Sequence, residues 1–173
     1  MPNPTKTSPL ADALVTVHYD SLPAGDFFRS QIEQRIRAYS DCGLPLYSLS
    51  THAVPPSEPN VVHIPSPDPT GDTYGLEQQM ESLLHTFPRS PRLARVEVVG
   101  VAWFLCVDAV HAFLIEHGIE ATINYDCTDL VGDYVGIIDL GIPLPEFNGK
   151  PMPKPPEAVI AAYRQYLTSL PSA

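Results

Sequence analysis

The chain is organised around residues Arg95–Gly118, which read RVEVVGVAWFLCVDAVHAFLIEHG. The stretch opens with an apolar, β-branched run over Val96–Ala102, which has the length and composition of a buried parallel strand. A helical pattern follows, and Gly118 stands where a helix stop is expected. The residues that share the apolar face of this helix are Ala109, Val110, Phe113 and Leu114. The stretch therefore predicts a strand, a turn and a helix, the repeating unit of an α/β fold.

Cys106 lies between this strand and this helix, at or near the first helical turn. A thiol there is close to the positive end of the helix dipole and to unpaired backbone N–H groups, both of which favour the thiolate. The sequence therefore predicts a nucleophilic cysteine whose pKa lies below the value of about 8.5 of a free thiol. The alternative is a small apolar core residue, since free cysteine is among the most buried residue types.

A family resemblance rests on the same residues. The segment GVAWFLCVDA, followed by a helix, by HGIEA and by another strand, resembles the nucleophile segment of the isochorismatase-like cysteine hydrolases, a superfamily that includes nicotinamidases. The resemblance covers Val96–Ile123. It implies a three-layer α/β domain with a mostly parallel, doubly wound sheet and helices on both faces. It also implies hydrolysis of a small amide or related C–N bond through a thioester on Cys106.

The other catalytic positions of the resembling hydrolases are altered in this chain. Those enzymes combine the cysteine with an aspartate at the end of the first strand and with a lysine from the middle of the chain. The predicted first strand, Ala13–Tyr19, places His18 at the aspartate position, with Asp20 two residues further on and on the same side of the strand. No lysine lies between this strand and Cys106, and His63 falls near the expected lysine position.

Two hypotheses about function follow. In the first, His18 is the base that takes the proton of Cys106, and Asp20 or His63 orients its ring, since histidine is a competent base near neutral pH. In the second, catalysis has been lost and the fold serves as a small-ligand-binding, structural or assembly protein. Whether the chain is an enzyme stays open at this point.

The candidate contacts to a substrate or ligand are Trp103, Phe104 and His52. If Trp103 or Phe104 fills the pocket instead, the enzyme hypothesis fails. His52 also follows the second strand where metal-binding members of the resembling family carry an aspartate and a histidine, but Ser50 replaces the aspartate. One ligand is too few for a metal site, so the sequence predicts no metal and no other cofactor.

The remaining chain predicts the same alternation of strands and helices. Asp26 begins a helix that ends at Gly43, and Asp72 or Thr73 begins another that ends at Pro88. Further apolar runs with the composition of strands are Leu44–Thr51, Asn60–Ile64 and Ile119–Tyr125. This alternation predicts a doubly wound, mostly parallel sheet with helices on both faces.

The end of the chain departs from this pattern. Residues 126–134 are too few for a helical crossover, so the apolar run Val135–Leu140 is expected to be an antiparallel or edge strand. The whole chain, 1–173, is predicted to be one domain, with an N-terminal arm at 1–12, a proline-rich connector at 143–156 and a C-terminal helix at 156–170.

The C-terminal helix carries an apolar stripe that needs a surface to cover. The stripe consists of Val159, Ile160, Tyr163, Tyr166, Leu167 and Leu170. Either the chain's own sheet or a neighbouring subunit would serve, and a homo-oligomer is expected.

Composition excludes several classes of partner. The formal net charge is −10, with only ten Lys and Arg, so the chain lacks the cationic surface that nucleic acid binding requires. No apolar run approaches the ~20 residues needed to cross a bilayer, and the N-terminus has no signal-peptide layout. The three cysteines are an odd number at wide spacings, which is typical of reduced cytoplasmic thiols. The expected partner is therefore a small molecule, and the expected location is the cytoplasm.

Overall fold

The computed structural model describes residues 9–51, 60–67, 75–87, 95–101 and 106–129, together with short stretches and single positions between 139 and 168. Its centre is a five-stranded sheet in which every pair of neighbouring strands is parallel. The strands are β1 (Ala13–Val17), β2 (Leu46–Ser50), β3 (Val61–Pro65), β4 (Arg95–Gly100) and β5 (Glu120–Thr128). Their order across the sheet is β3-β2-β1-β4-β5. Because the order reverses beside β1, the sheet is doubly wound.

Three helices cover the two faces of the sheet: α1 (Phe27–Asp41), α2 (Leu76–Thr86) and α3 (Asp108–Glu116). The α1 side is closed by an apolar core of Leu14, Ile32, Ile36, Tyr39, Leu46, Val99 and Cys127. The opposite side is closed by a core that includes Val15, Val17, Leu49, Leu83, Val98, Val110 and Leu114. The predicted three-layer α/β fold with helices on both faces is confirmed.

The strand and helix patterns of the sequence explain these elements. All five residues of β1 and of β2 are buried, as expected for strands covered on both faces. Asp26 caps α1, since its Oδ1 accepts a hydrogen bond of 3.0 Å from the backbone N–H of Arg29. Gly43 follows α1 with φ of 65°, the left-handed conformation that ends many helices.

A buried polar network joins the α1 side of the sheet to the N-terminal residues. The Glu97 carboxylate, on β4, accepts two hydrogen bonds from Arg35, at 2.7 and 2.6 Å. It also accepts one from Tyr39 and one from Asn124, both at 2.7 Å. The Tyr39 hydroxyl in turn accepts a bond of 2.8 Å from the backbone N–H of Ala11. Burial and the Glu97 carboxylate raise the pKa of Tyr39, so the hydroxyl keeps the proton that it donates.

Several element boundaries differ from those that the sequence predicts, including the ends of β1 and β5 and the start of α2. β1 ends at Val17 instead of Tyr19, because His18 has a left-handed backbone, with φ of 51°, and Tyr19–Ser21 form a short 3-10 helix. The residue that precedes α2 is Gly75, also left-handed, and no side chain caps this helix. The predicted caps, Asp72 and Thr73, lie outside the described residues.

The end of the chain is described only in part. Glu146–Phe147 (β6) and Lys150–Pro151 (β7) pair as a short antiparallel ribbon inside the predicted connector. Asp139 is helical, which contradicts an extended conformation at that position of the predicted strand Val135–Leu140. The described positions of the predicted C-terminal helix are helical, and Ile160 is fully buried. Among the described residues, no helix has the length and apolar character that crossing a membrane requires.

Candidate functional site

The carboxyl ends of β1, β2 and β3 meet at one edge of the sheet, where His18 is the first residue after β1. Its backbone N–H donates to the Leu49 carbonyl at 2.8 Å, which holds the left-handed residue against β2. The His18 side chain is buried, and its Nε2 lies 2.9 Å from Oε1 of Gln79 on α2. Burial lowers the pKa of His18, although the hydrogen bond to Gln79 and the charge of Asp20 act in the opposite direction. The ring is therefore neutral at neutral pH.

Gln79 is a site residue that is not among those predicted from the sequence. Its side chain is 1% exposed, and its Nε2 donates to the carbonyl of Ser50, at the end of β2, and to that of Ile64, on β3, both at 2.9 Å. The sequence does contain a signal for it. Position 79 has the helical spacing of Leu76 and Leu83, so a polar residue stands within an apolar helix face.

The Asp20 carboxylate is hydrogen-bonded to residues at the end of β2, and not to Cys106. One carboxylate oxygen accepts hydrogen bonds from the Ser50 hydroxyl at 2.6 Å and from the Thr51 hydroxyl at 2.9 Å. The Thr51 backbone N–H also donates to the carboxylate, at 2.9 and 3.1 Å to its two oxygens. The expectation that His18 and Asp20 point to the same side of a strand does not hold here, because both residues lie beyond the extended part of β1.

Cys106 follows β4 and precedes α3, as the sequence predicts, but its electrostatic environment differs. Cys106 and Val107 form a wide, π-type turn before α3 begins at Asp108. The thiol is half-buried against the core on the α2 and α3 side. Burial raises the pKa of Cys106, so the predicted low pKa is wrong, because an apolar environment disfavours the thiolate. No hydrogen bond joins the Cys106 thiol to His18, although both residues are described.

His63 does not approach His18. It lies in the middle of β3 and alternates with Ile64, which belongs to the core on the α2 and α3 side, so His63 belongs to the α1 side. Its ring nitrogens are both buried and have no hydrogen-bond partner. The residues beside it in register are Ser48 on β2 and Thr16 on β1, and their buried hydroxyls likewise have none. Among the predicted orienting residues, neither His63 nor Asp20 is hydrogen-bonded to the His18 ring, whereas Gln79 is.

The candidate ligand contacts His52, Trp103 and Phe104 lie outside the described residues. Within the described part of the chain, no group of three or more His, Cys, Asp or Glu side chains is placed to hold a metal ion. The described candidate groups are thus a neutral imidazole held by the Gln79 amide, a carboxylate held by Ser50 and Thr51, and a protonated thiol that follows the neighbouring strand β4. Such groups are able to form hydrogen bonds with a small polar molecule.

Comparisons with known proteins show that the fold has a distant structural similarity to solved structures. No protein-family model matches the chain, and no curated protein matches it at a significant level. Among solved structures, a nicotinamidase from Staphylococcus aureus superposes with a TM-score of 0.47 at 19% sequence identity. The match covers 68% of this chain and 82% of the nicotinamidase. A similarity this distant concerns the course of the chain and says nothing about its chemistry.

Proposed function

We propose that this chain is a divergent isochorismatase-like domain that binds a small amide or related compound at the carboxyl edge of its sheet, with little or no hydrolysis. The observation that carries this proposal is the state of Cys106. Its thiol has a raised pKa and no hydrogen bond to His18. The resemblance of Val96–Ile123 to the isochorismatase-like hydrolases supports the choice of ligand class.

The reason for expecting weak catalysis is chemical. A thioester forms when a thiolate attacks a carbonyl carbon, and a thiol with a raised pKa is almost entirely protonated at neutral pH. A hydrogen-bonded base would compensate, but Asp20 is held by Ser50 and Thr51. The lysine of the resembling enzymes is also missing from the central chain. Binding requires none of these groups.

A slow cysteine hydrolase is the second candidate, and the placement of His18 favours it. β1 and β4 are neighbours in the sheet, so His18 and Cys106 follow adjacent strands at the same edge. In this scheme His18 takes the thiol proton as the sulfur attacks the amide carbon. The amine then leaves with that proton, and water hydrolyses the Cys106 thioester to the acid.

Binding and turnover measured on the same samples test the two candidates. Calorimetry with nicotinamide and a panel of small aliphatic amides is run on the wild type, Cys106→Ala and His18→Asn, together with an assay for released ammonia. His18→Asn is chosen because asparagine tolerates the left-handed backbone. We expect binding to the wild type, retained binding to Cys106→Ala, and no measurable ammonia.

Turnover that disappears in both variants would establish the hydrolase and contradict the binding protein, because members of one catalytic unit fail together. If the panel shows no binding and no turnover, both candidates are contradicted.

Self-association and location are further proposals that the sequence supports. We propose that the chain forms a homo-oligomer, because the helix predicted at 156–170 carries an apolar stripe. We also propose that the protein is cytoplasmic, because its cysteines are odd in number and widely spaced. The proposed binding partner is a small molecule, since the net charge of −10 disfavours nucleic acid.

A further inference from the structure

Gln79 connects α2 to the ends of three neighbouring strands. Its amide nitrogen donates to two backbone carbonyls, those of Ser50 and Ile64, and its amide oxygen faces Nε2 of His18, with all three distances at 2.9 Å. A backbone carbonyl only accepts hydrogen bonds. The reverse orientation of the amide would place Oε1 against two carbonyl oxygens and lose both bonds. The structure around Gln79 therefore determines which end of the amide meets His18.

This orientation determines the protonation of the His18 ring. An amide oxygen is an acceptor only, so the atom that faces it at 2.9 Å must be a donor. Nε2 of His18 therefore carries a proton. A neutral imidazole has one N–H group, so its lone pair is on Nδ1.

We infer that Gln79 is the positioning residue of the site: it fixes His18 as the Nε2–H tautomer and makes Nδ1 the nitrogen with which a neutral His18 accepts a hydrogen bond or a proton. The inference rests on the proposed function in placing His18 at the ligand site. The tautomer itself follows from the contacts of Gln79.

Nitrogen-15 NMR of histidine-labelled protein without ligand tests this inference. The chain has six histidines, so His18→Asn assigns the His18 signals by their loss. Long-range proton–nitrogen spectra near pH 7.5 distinguish a protonated ring nitrogen from one with a lone pair. We expect a protonated Nε2, with the Nε2–H tautomer in roughly tenfold excess or more, since losing the bond would leave a buried acceptor unpaired.

Two variants separate positioning from a general structural role. Gln79→Met and Gln79→Glu both lose the donors to Ser50 and Ile64, but only Glu keeps an acceptor opposite His18. We expect Gln79→Glu to retain the Nε2–H tautomer and Gln79→Met to shift toward a mixture. Gln78→Met, an exposed position on the same helix, is the matched control and is expected to match the wild type.

A wild-type His18 protonated on Nδ1 would overturn the inference whether or not the variants fold. A folded Gln79→Met with the wild-type tautomer would also overturn it. Because no ligand is used, failure of the proposed function in the binding assay and failure of this inference are separate results.

Discussion

His18 combines two features that are unusual for a single residue. Its backbone is left-handed, with φ of 51°, although it is not glycine, and its ring is buried against Gln79. A left-handed backbone at a non-glycine residue costs about 1–2 kcal/mol, which the surrounding contacts must offset. Hydrogen bonds to Leu49 and Gln79 supply such contacts.

The burial of His18 predicts a pH-dependent stability. Its folded pKa lies below the unfolded value of about 6.5, so the unfolded chain binds more protons as the pH falls. The contribution of the neutral, buried His18 to the free energy of unfolding is fully present above pH ~6.5 and is lost as the pH falls through the folded pKa. Each unit of difference between the folded and unfolded pKa corresponds to about 1.4 kcal/mol in the free energy of unfolding.

We expect urea unfolding between pH 7.5 and pH 5 to show a larger loss of stability for the wild type than for His18→Asn. The exposed His85→Asn is the control and should follow the wild type. Equal losses in all three proteins would contradict a buried, neutral His18.

The three thiols are predicted to react in the order of their exposure. All three are free; Cys42 is exposed, Cys106 is half-buried and Cys127 is buried. Burial raises the pKa of Cys106, and burial followed by the charge of Glu97 raises that of Cys127 to about 12. We expect limiting iodoacetamide at pH 7.5, followed by peptide mass spectrometry, to label Cys42 first and Cys127 last. Labelling of Cys106 ahead of Cys42 would show an activated nucleophile and contradict the environment described for it.

At the scale of elements, the close approach of β1 and β4 depends on Gly100. Gly100 pairs with Val17 and has φ of 144°, and a Cβ atom on it would lie 2.1 Å from the Val17 carbonyl oxygen. Only glycine fits between the two strands at this point, the last residue of β4. The register of β4 against β5 also changes between Val98 and Gly100.

Gly100→Ala is therefore expected to lower the free energy of unfolding by about 3 kcal/mol or more, from backbone strain and from displaced strands. Gly118→Ala is the matched control. Gly118 also has a left-handed backbone, but no atom lies within 4 Å of the added Cβ, so a loss of about 1–2 kcal/mol is expected. Urea denaturation compares the free energies of unfolding of the two variants. Equal losses would show that moving β1 and β4 apart costs no free energy.

The network around Glu97 joins α1, β4 and β5. Arg35 and Glu97 are both buried, and removing one member of a buried ion pair leaves the other charge only partly compensated. Arg35→Met should cost about 3–5 kcal/mol of stability. Arg37→Met, on the exposed face of the same helix, should change it by less than about 0.5 kcal/mol. Chemical unfolding measures the stability of both variants. If Arg35→Met leaves the free energy of unfolding unchanged, apolar packing alone holds α1 on the sheet.

At the scale of the whole molecule, the C-terminal helix packs on its own chain at Ile160. This is the residue of the apolar stripe whose burial the structure describes. Ile160 has no exposed surface in the single chain. This position therefore does not require a partner subunit, and the homo-oligomer stays a prediction from the other stripe residues.

Ile160→Ala should lower stability by about 2–5 kcal/mol, because it removes buried methyl and methylene groups. The loss should not depend on protein concentration, since Ile160 is covered within one chain. Gln165→Ala, at an exposed position of the same helix, is the control. Thermal unfolding over a hundredfold range of concentration, with light scattering, measures both. A concentration-dependent loss would place Ile160 at a subunit interface.

The sequence by itself determined the α/β class and the location of the candidate thiol. Periodicity is a local property, so the strand, turn and helix around Cys106 and the cap at Asp26 are visible in short windows of residues. The placement of His18 near the end of the first strand also follows from the first apolar run, although β1 ends at Val17 instead of Tyr19. The predicted low pKa of Cys106 was wrong, because its cause was a local helix end, whereas burial is set by the whole core.

Only the tertiary structure decided which side chains contact one another. Gln79 lies 61 positions from His18, and Glu97 lies 62 from Arg35, so no local pattern pairs them. The sheet register placed His63 on the opposite face from the His18 contact, and a single left-handed residue turned Asp20 toward β2. These outcomes depend on how distant segments pack, because a buried polar group takes its partner from whatever the fold brings beside it.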